Sequence, residues 1–503
     1  MKSKKTIQNS LLYRHRYAVA IFLLIALATF MAFYKFWLVP DGLNNVEMSS
    51  AVTSYNLFYG EFFESGLTNL PWGVVEWSAF KIFGVSPVTL RLPAIILTLT
   101  FVGLATFLLA KLFRPNLAMM GGLLLVSSAF TIAVARSASP IAMAMLLLVV
   151  VLIIGYYLIN YSDRHLLGKF FGLIVVSALL SYMVAGPYIV LMLFAASLLH
   201  PKVRLLIKRH IRLAIFMLFM YLLLVSPIIL AVILSVMNQS VFASIREILL
   251  IGPLKLSNLD RFVNNYCGFS PAVASGIVVP LVTVVSLIMS VIGLVYNIVK
   301  ARFSVRFCVI CLPIPIIFLL GLINPDIVYL LYLPTVILQV CCLDLITSKW
   351  YGLFPNNPYA RVFAILPITI LIGSLCAVDA SRFFSAVAYN SDVVYSYNRL
   401  PISLWQYLKS NQDKDYDLVM PDGTARQFAL AMSNSLDNLS VWSGGGLLEE
   451  QISLWSEDAN GSNYLIVAGD NESPTSLKTL KLVGIQTTWT VDQPVLFRVY
   501  ERK

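Results

Sequence analysis

The chain has 503 residues, of which 59% are hydrophobic and only 12% charged, and its formal net charge is +11. Soluble globular domains carry about 25% charged residues, so this composition excludes a protein whose whole surface faces water. The basic residues fall in short clusters between apolar runs and form no single patch, which argues against nucleic acid as the partner. The bilayer is therefore predicted to be the main solvent of the chain.

The N-terminal segment begins with basic residues and continues into an apolar run at 17–38. The basic start resembles a signal peptide, but the run is about 20 residues long and no small-residue cleavage motif follows it. The sequence therefore predicts a retained first transmembrane helix.

Further apolar runs predict about eleven membrane spans in all. They lie at 17–38, 91–112, 116–136, 139–160, 168–183, 184–199, 213–236, 272–299, 306–323, 327–346 and 362–379. The pair at 168–199 is open to two interpretations, two short helices with a tight turn or one long helix kinked near Gly186-Pro187. Merging them would place the basic cluster at 200–212 outside the cell. The positive-inside rule therefore favours eleven spans, a cytoplasmic N-terminus and an extracytoplasmic C-terminus.

From about residue 380 the composition becomes that of a soluble domain. Strands are predicted at 416–420, 463–469, 482–489 and 494–501, and helices at 424–433 and 473–481. This alternation predicts a small extracytoplasmic α/β domain at 380–503, following a transmembrane domain at 1–379.

The first outside loop, at 39–93, is long and holds five acidic residues, whereas the whole of the remaining membrane part holds only six. Asp41 and Glu47 are the candidates for a general base at the bilayer surface. Asp41 could instead cap the next helix, and Glu47 could stabilise a helix N-terminus. Glu61, Glu64 and Glu76 are most simply solvated or interfacial charges.

Basic residues on the predicted outside are few, and a lipid phosphate there needs such cations. The candidates for the phosphate are Arg91, Arg136, Lys255 and Arg261. Arg91 could instead be an interface anchor, and Lys255 and Arg261 could be plain headgroup contacts. The sequence shows no dedicated metal site, because His15, His165, His200 and His210 all fall on the predicted cytoplasmic side.

The first outside loop contains several motifs. They are Gly42-Leu43 with Glu47, Asn69-Leu70-Pro71-Trp72 with Trp77, Phe80-Lys81-Ile82-Phe83-Gly84-Val85-Ser86 and Leu90-Arg91-Leu92-Pro93. Together these residues resemble the GT-C glycosyltransferases, in particular the protein O-mannosyltransferase and lipid A aminoarabinose transferase group (family 39 and relatives). The stretch 126–146 resembles the family's junction between the third and fourth spans. The likeness covers roughly 35–200, and beyond that only the architecture agrees.

The resemblance implies a polytopic α-helical membrane protein of the GT-C type. It implies transfer of a sugar from a polyprenyl-phosphate donor to a hydroxyl of a glycan, lipid or protein, with inversion, at the outer face of the membrane. A first-loop carboxylate would orient or deprotonate the acceptor, and basic residues would hold the phosphate. Some relatives use a divalent cation. A bacterial cytoplasmic membrane is the expected location.

The sequence departs from the family at one important position. The family usually has Asp-Glu in this loop, where the aligned pair here is Val46-Glu47. Either Asp41 or Glu47 supplies the carboxylate, or the chain is a catalytically inactive scaffold in envelope assembly. A secondary transporter is the other alternative, although acidic residues are nearly absent from the span centres.

Overall fold

The computed structural model describes residues 16–36, 39–58, 67–160, 165–235, 238–268, 279–300, 313–353, 359, 363, 365–442, 452, 455, 462–468, 481–487 and 495–501. The chain forms two compact units whose segments alternate along the sequence. Unit one comprises 1–36, 61–72 and 94–390, and unit two comprises 37–60, 73–93 and 391–503. Unit two thus contains most of the segment 39–93 together with the C-terminal segment. The division into a membrane domain at 1–379 and a soluble domain at 380–503 stays a prediction.

Unit one is built from apolar helices. Within the described residues, five helices are long and apolar enough to cross a membrane, or up to seven if each bent pair counts as one span. The five are Pro87–Leu112, Ile141–Asn160, Ile211–Leu234, Pro325–Leu353 and Leu366–Tyr389. The bent pairs are Pro115–Ser127 with Ala129–Arg136, at 55°, and Gly186–Leu199 with Pro201–Arg209, at 93°. The chain is therefore a multi-pass membrane protein, and the number of eleven spans stays a prediction.

The remaining helices of this unit are shorter. They are Arg16–Phe33, Leu166–Ser181, Gln239–Ile248, Ser257–Cys267, Val284–Lys300 and Pro313–Gly321. The helix Tyr332–Leu353 follows a 3-10 segment, Pro325–Leu331, and its first half is buried, mostly in the main apolar core. Parts of the predicted spans at 272–299 and 306–323 lie outside the described residues.

The ambiguous region at 168–199 forms two helices, Leu166–Ser181 and Gly186–Leu199, and not one kinked helix. The turn between them passes through Ala185 in the left-handed region, at φ 60°. A Cβ atom on Gly186 would lie 1.8 Å from the carbonyl oxygen of Leu180. Only glycine permits this close return of the backbone, which explains why the chain reverses at this point.

Within the described residues, unit two contains two sheets. The smaller one pairs β1 (Leu43–Asn44) with β2 (Tyr397–Asn398) in antiparallel register. The larger one has the order β4 (Leu439–Val441), β3 (Tyr416–Val419), β5 (Tyr464–Ala468), β7 (Val495–Glu501) and β6 (Lys481–Thr487). Strand β3 is parallel to both β4 and β5, whereas β7 is antiparallel to β5 and β6.

The helices of unit two lie before and between these strands. They are Asn45–Tyr55, Ser391–Tyr395, Leu400–Ser410 and Thr424–Ser433, with a 3-10 turn at Asn56–Phe58. Two further helices, Leu70–Phe83 and Pro87–Leu112, contribute their 73–83 and 87–93 portions. The predicted strands and the helix at 424–433 are confirmed, whereas the predicted helix at 473–481 lies, except for Lys481, outside the described residues.

A buried carboxylate on β3 links this strand of the larger sheet to neighbouring segments. Asp417 lies on β3, and its side chain accepts hydrogen bonds from Trp455 Nε1 at 2.6 Å, from the Ser462 amide at 2.8 Å and from the Ser440 hydroxyl. Burial raises the pKa of Asp417, but the hydrogen bonds from these donors together lower it by more, so the pKa lies below the ordinary value. A buried charge is tolerated only when it is fully hydrogen-bonded, as it is here.

Candidate functional site

The site begins at the N-terminus of helix Asn45–Tyr55, where Glu47 forms half of a capping box. The Asn44 side chain accepts a hydrogen bond from the Val46 amide at 2.8 Å, and Glu47 Oε2 accepts one from the Asn44 amide at 2.9 Å. The first turn of a helix has unsatisfied amides, which these two side chains supply with partners. The cap is therefore Asn44, and Asp41 does not have the capping role considered as its alternative.

Glu47 also forms a buried ion pair with Arg91. Arg91 Nε lies 3.2 Å from Glu47 Oε1 and Nη2 lies 3.2 Å from Oε2, so the contact is bidentate. The side chains of Arg91 and Glu47 are only 3% and 2% exposed. The alternative of an interface anchor does not fit an arginine that is buried to this degree. Planar guanidinium groups suit such paired recognition of a carboxylate.

Arg91 further fixes the backbone on both sides of Asp41. Its Nη2 donates to the Gly42 carbonyl at 2.5 Å, and its Nη1 donates to the Pro40 carbonyl at 3.4 Å. Gly42 has φ 144°, and a Cβ atom there would lie 2.8 Å from the Asn398 carbonyl oxygen. Only glycine allows β1 to approach β2 this closely. The three-residue segment that carries Asp41 is thus held by an arginine whose own charge Glu47 balances.

Asp41 itself is partly accessible. Its Oδ2 lies 2.6 Å from Arg399 Nη2, and the two side chains are 38% and 27% exposed. Burial raises the pKa of Asp41, whereas the positive charges of Arg399 and Arg91 lower it, and the net shift is upward. A carboxylate with a raised pKa beside a cation is the arrangement that general-base chemistry uses.

Two residues of unit two were missed by sequence reasoning. Tyr397 lies on β2. Burial raises the pKa of its phenol most, and the negative charge of Glu47 raises it further, whereas the positive charge of Arg91 lowers it. Arg399 follows β2 and pairs with Asp41. Nothing in the sequence around 397–399 signals these contacts, because they depend on β2 pairing with β1 about 350 residues earlier in the chain.

Glu76 is a correction to the sequence interpretation. It was expected to be a solvated or interfacial charge, but its side chain is completely buried. Glu76 Oε2 accepts hydrogen bonds from Ser54 Oγ at 2.5 Å and from Ser50 Oγ at 3.1 Å. These bonds join the helix Asn45–Tyr55 to the helix Leu70–Phe83. Glu61 and Glu64 lie outside the described residues.

Arg136, in unit one, holds the end of the first helix. Its Nη2 donates to the Met31 carbonyl at 2.7 Å and to the Tyr34 carbonyl, just where helix Arg16–Phe33 ends. Its guanidinium carbon lies 5.0 Å and 5.5 Å from the ring centroids of Phe384 and Phe383. A cation at a helix C-terminus satisfies the last carbonyl groups and their partial negative charge. These contacts give the buried Arg136 a structural role.

Lys255 and Arg261, also in unit one, are exposed. Lys255 precedes the helix Ser257–Cys267, and Arg261 lies on it. Neither side chain has a hydrogen bond or ion pair within the part of the chain that the structure describes. Three of the predicted site residues, Asp41, Glu47 and Arg91, are thus brought together in unit two, whereas Arg136, Lys255 and Arg261 belong to unit one.

Among the described residues, no group of three or more His, Cys, Asp or Glu side chains is placed to hold a metal ion. In the part of the chain that the structure describes, Arg399 and Arg91 are the cations whose charges act on Asp41.

The fold and this site define a multi-pass membrane protein in which a partly exposed carboxylate is held beside a cation. No protein-family model matches the chain, and no curated protein sequence matches it. The chain is similar in structure to ArnT from Cupriavidus metallidurans in the apo state, with a TM-score of 0.49 and 14% identity over 95% of this chain and 97% of that chain.

The same ArnT bound to undecaprenyl phosphate matches with a TM-score of 0.47, the same identity and the same coverage. The Archaeoglobus fulgidus oligosaccharyltransferase tethered with an acceptor peptide matches with a TM-score of 0.49 and 11% identity over 86% of this chain and 64% of that chain. ArnT is a lipid A aminoarabinose transferase, and both proteins are members of the GT-C superfamily that the sequence motifs resemble.

Proposed function

We propose that the protein is a glycosyltransferase that moves a sugar from a polyprenyl-phosphate donor to an acceptor hydroxyl at the outer face of the membrane. The observation that carries the proposal is the position of Asp41, whose carboxylate is partly exposed and lies beside Arg399. A buried arginine, Arg91, holds the carbonyl groups on both sides of it. That arginine belongs to the motif through which the sequence resembles the GT-C glycosyltransferases.

Asp41 is the carboxylate that acts on the acceptor. It accepts the proton of the acceptor hydroxyl as the oxygen forms a bond to the anomeric carbon of the sugar. The bond between that carbon and the phosphate oxygen breaks, and the polyprenyl phosphate leaves with the electron pair. One displacement of this kind inverts the anomeric centre. Glu47 supports this step indirectly, because it balances the charge of Arg91 inside unit two.

The phosphate of the donor needs cations that are accessible. Arg91 and Arg136 are buried and donate to protein oxygens, so we assign them to holding the structure. Among the described residues of unit two, Arg399 is the partly accessible cation beside Asp41 that can offset the charge of the leaving group. Lys255 and Arg261, which are exposed in unit one, stay predicted contacts of the lipid phosphate. With Asp41 in this role, the proposed reaction does not require the aspartate that the family has at the position of Val46.

The proposal includes the predicted topology. Eleven spans with a cytoplasmic N-terminus place the loop 39–93 and the segment 380–503 outside the cytoplasm, the side on which Asp41 would meet its acceptor. The donor would be lodged in the outer leaflet of a bacterial cytoplasmic membrane. The acceptor is a glycan, lipid or protein that carries a hydroxyl.

The test is transfer of a labelled sugar from a panel of polyprenyl-phosphate donors by the full chain in nanodiscs. We expect Asp41→Asn to abolish transfer while the protein remains folded. Asp422→Asn is the matched control, since Asp422 is another partly paired aspartate of unit two whose side chain is 75% exposed. Equal transfer by wild type and Asp41→Asn would disprove the role of Asp41.

A wild-type protein that leaves every donor intact would overturn the function itself. In that case Val46 would favour the catalytically inactive scaffold. Donor-independent movement of solute into liposomes would favour the transporter.

A further inference from the structure

The helix Pro201–Arg209 is a short basic helix at the boundary of the membrane. It follows the apolar helix Gly186–Leu199 at an angle of 93°. The helix after it, Ile211–Leu234, is apolar, and both neighbours expose large hydrophobic side chains at the junctions, Leu199 and Ile211. Side chains of that kind belong in contact with lipid. The short helix therefore lies where two lipid-facing helices reach the surface of the bilayer.

The two sides of this helix differ in chemistry. Val203 is buried against the rest of unit one, and Leu206 and Ile207 are half-buried on the same side. The other side carries four exposed cations with one exposed leucine, Leu205, among them. The cations are Lys202, Arg204, Lys208 and Arg209.

No acidic residue of the described chain balances this charge. None of the four cations takes part in an ion pair within the described residues, and Arg212, one turn further on, is also exposed. The sequence contains no Asp or Glu between Asp163 and Glu247. The positive charge of the segment is therefore concentrated and uncompensated at the level where lipid headgroups lie.

The positive-inside rule explains the positive charge of this segment but not its helical structure. A flexible loop with the same cations would set topology equally well. The structure instead shows a helix at right angles to the preceding span, with Leu205 in the middle of the basic face. A helix that lies in the interface has this form, with cations directed at headgroups and an apolar side chain among the acyl chains. Basic clusters of this size on amphipathic helices bind anionic lipids.

We infer that the exposed face of helix Pro201–Arg209 binds anionic phospholipid headgroups in the leaflet that it borders. The ligand is a phosphodiester lipid with net negative charge, and the arginines contact its phosphate with paired donors. The inference does not depend on the proposed transferase activity, because it concerns a different surface and a different lipid.

The test measures the lipid preference of the full chain in phosphatidylcholine vesicles. Spin-labelled phosphatidylglycerol and spin-labelled phosphatidylcholine are added in trace amounts, and the fraction of each that is immobilised by the protein is read by electron paramagnetic resonance. We expect wild type to favour phosphatidylglycerol, and we expect that preference to fall as salt is added.

The decisive variant replaces the four cations by glutamine, as Lys202→Gln, Arg204→Gln, Lys208→Gln and Arg209→Gln. Each cation near an anionic surface is worth about fivefold, so the preference should be largely lost. The matched control removes four exposed cations from other segments, as Lys111→Gln, Arg114→Gln, Lys300→Gln and Lys349→Gln. It has the same net charge and should keep most of the preference.

An equal loss in both variants would overturn the inference, because net charge alone would then be responsible. A wild type with no preference, or with a preference that salt does not change, would also overturn it. If the fourfold variant fails to insert, the pairs Lys202→Gln with Arg209→Gln and Arg204→Gln with Lys208→Gln replace it, and each pair should lower the preference. The salt titration of wild type needs no variant.

Discussion

Replacing Arg91 with glutamine should destabilise unit two strongly, because it leaves the Glu47 carboxylate buried without its cation. The two side chains are 3% and 2% exposed, and two nitrogen–oxygen contacts of 3.2 Å join them. Removing one partner of a buried ion pair costs about 3–5 kcal/mol. The same change also removes the donors to the Pro40 and Gly42 carbonyls, so the upper part of that range is expected.

Native-state proteolysis of the full chain in nanodiscs measures this effect. When local opening is fast relative to cleavage, the cleavage rate follows the population of the open form. A loss of 3–5 kcal/mol then corresponds to an increase of about a hundredfold to a few thousandfold in cleavage within 37–60. Glu47→Gln should raise cleavage too, and the double variant should cost less than the sum of the single ones.

Arg399→Gln is the matched control, since it breaks the other arginine–carboxylate pair of the same unit. That pair is partly exposed, so its loss should cost about 1 kcal/mol or less. If Arg91→Gln raises cleavage no more than Arg399→Gln does, the buried pair does not hold unit two together and the assigned role of Arg91 is wrong.

Three further predictions concern Asp41, Gly42 and Asp417. In the pH profile of the transfer rate, the acid limb should lie above 3.8, the ordinary pKa of aspartate. Arg399→Gln should move this limb to still higher pH, since the arginine charge lowers the pKa of Asp41. A limb that moves to lower pH in the variant would contradict this. Gly42→Ala should cost about 1–3 kcal/mol and speed amide hydrogen exchange in β1, whereas alanine at Gly484, which has open space, should not. Because the pKa of Asp417 is lowered in the folded state, its stabilising effect is present above pH 3.8 and is lost as pH falls through the folded pKa. Urea unfolding of the full chain at decreasing pH should therefore show a loss of stability that Asp417→Asn lacks.

Much of the fold could be predicted from the sequence because apolar runs and alternating strands are local signals. The helix at 424–433 has the predicted bounds, and β5 and β7 begin and end within a residue or two of the prediction. Strand β4 and the helix Leu400–Ser410 were missed. Strand β4 has only three residues, one buried, one exposed and one half-buried, which is too short a pattern to recognise. The helix lies at a change in composition.

The site was predictable only where it is local. Asp41, Glu47 and Arg91 belong to one stretch of the chain, and the structure brings them together in unit two. Arg399 could not be found, because two-residue strands such as β1 and β2 have no periodicity to read. Glu76 looked like a surface charge since nothing beside it in sequence reveals that Ser50 and Ser54 face it from another helix.

The pairing of β1 with β2 also sets an order of events during synthesis. Residue 43 leaves the ribosome about 350 residues before its partner at 398. The long loop between β1 and β2 can therefore close only when the last quarter of the chain is being made. Until then Gly42 has no strand to approach and Asp41 has no Arg399. A chain that ends before residue 397, however well its membrane helices insert, would lack β2 and would leave Asp41 without Arg399.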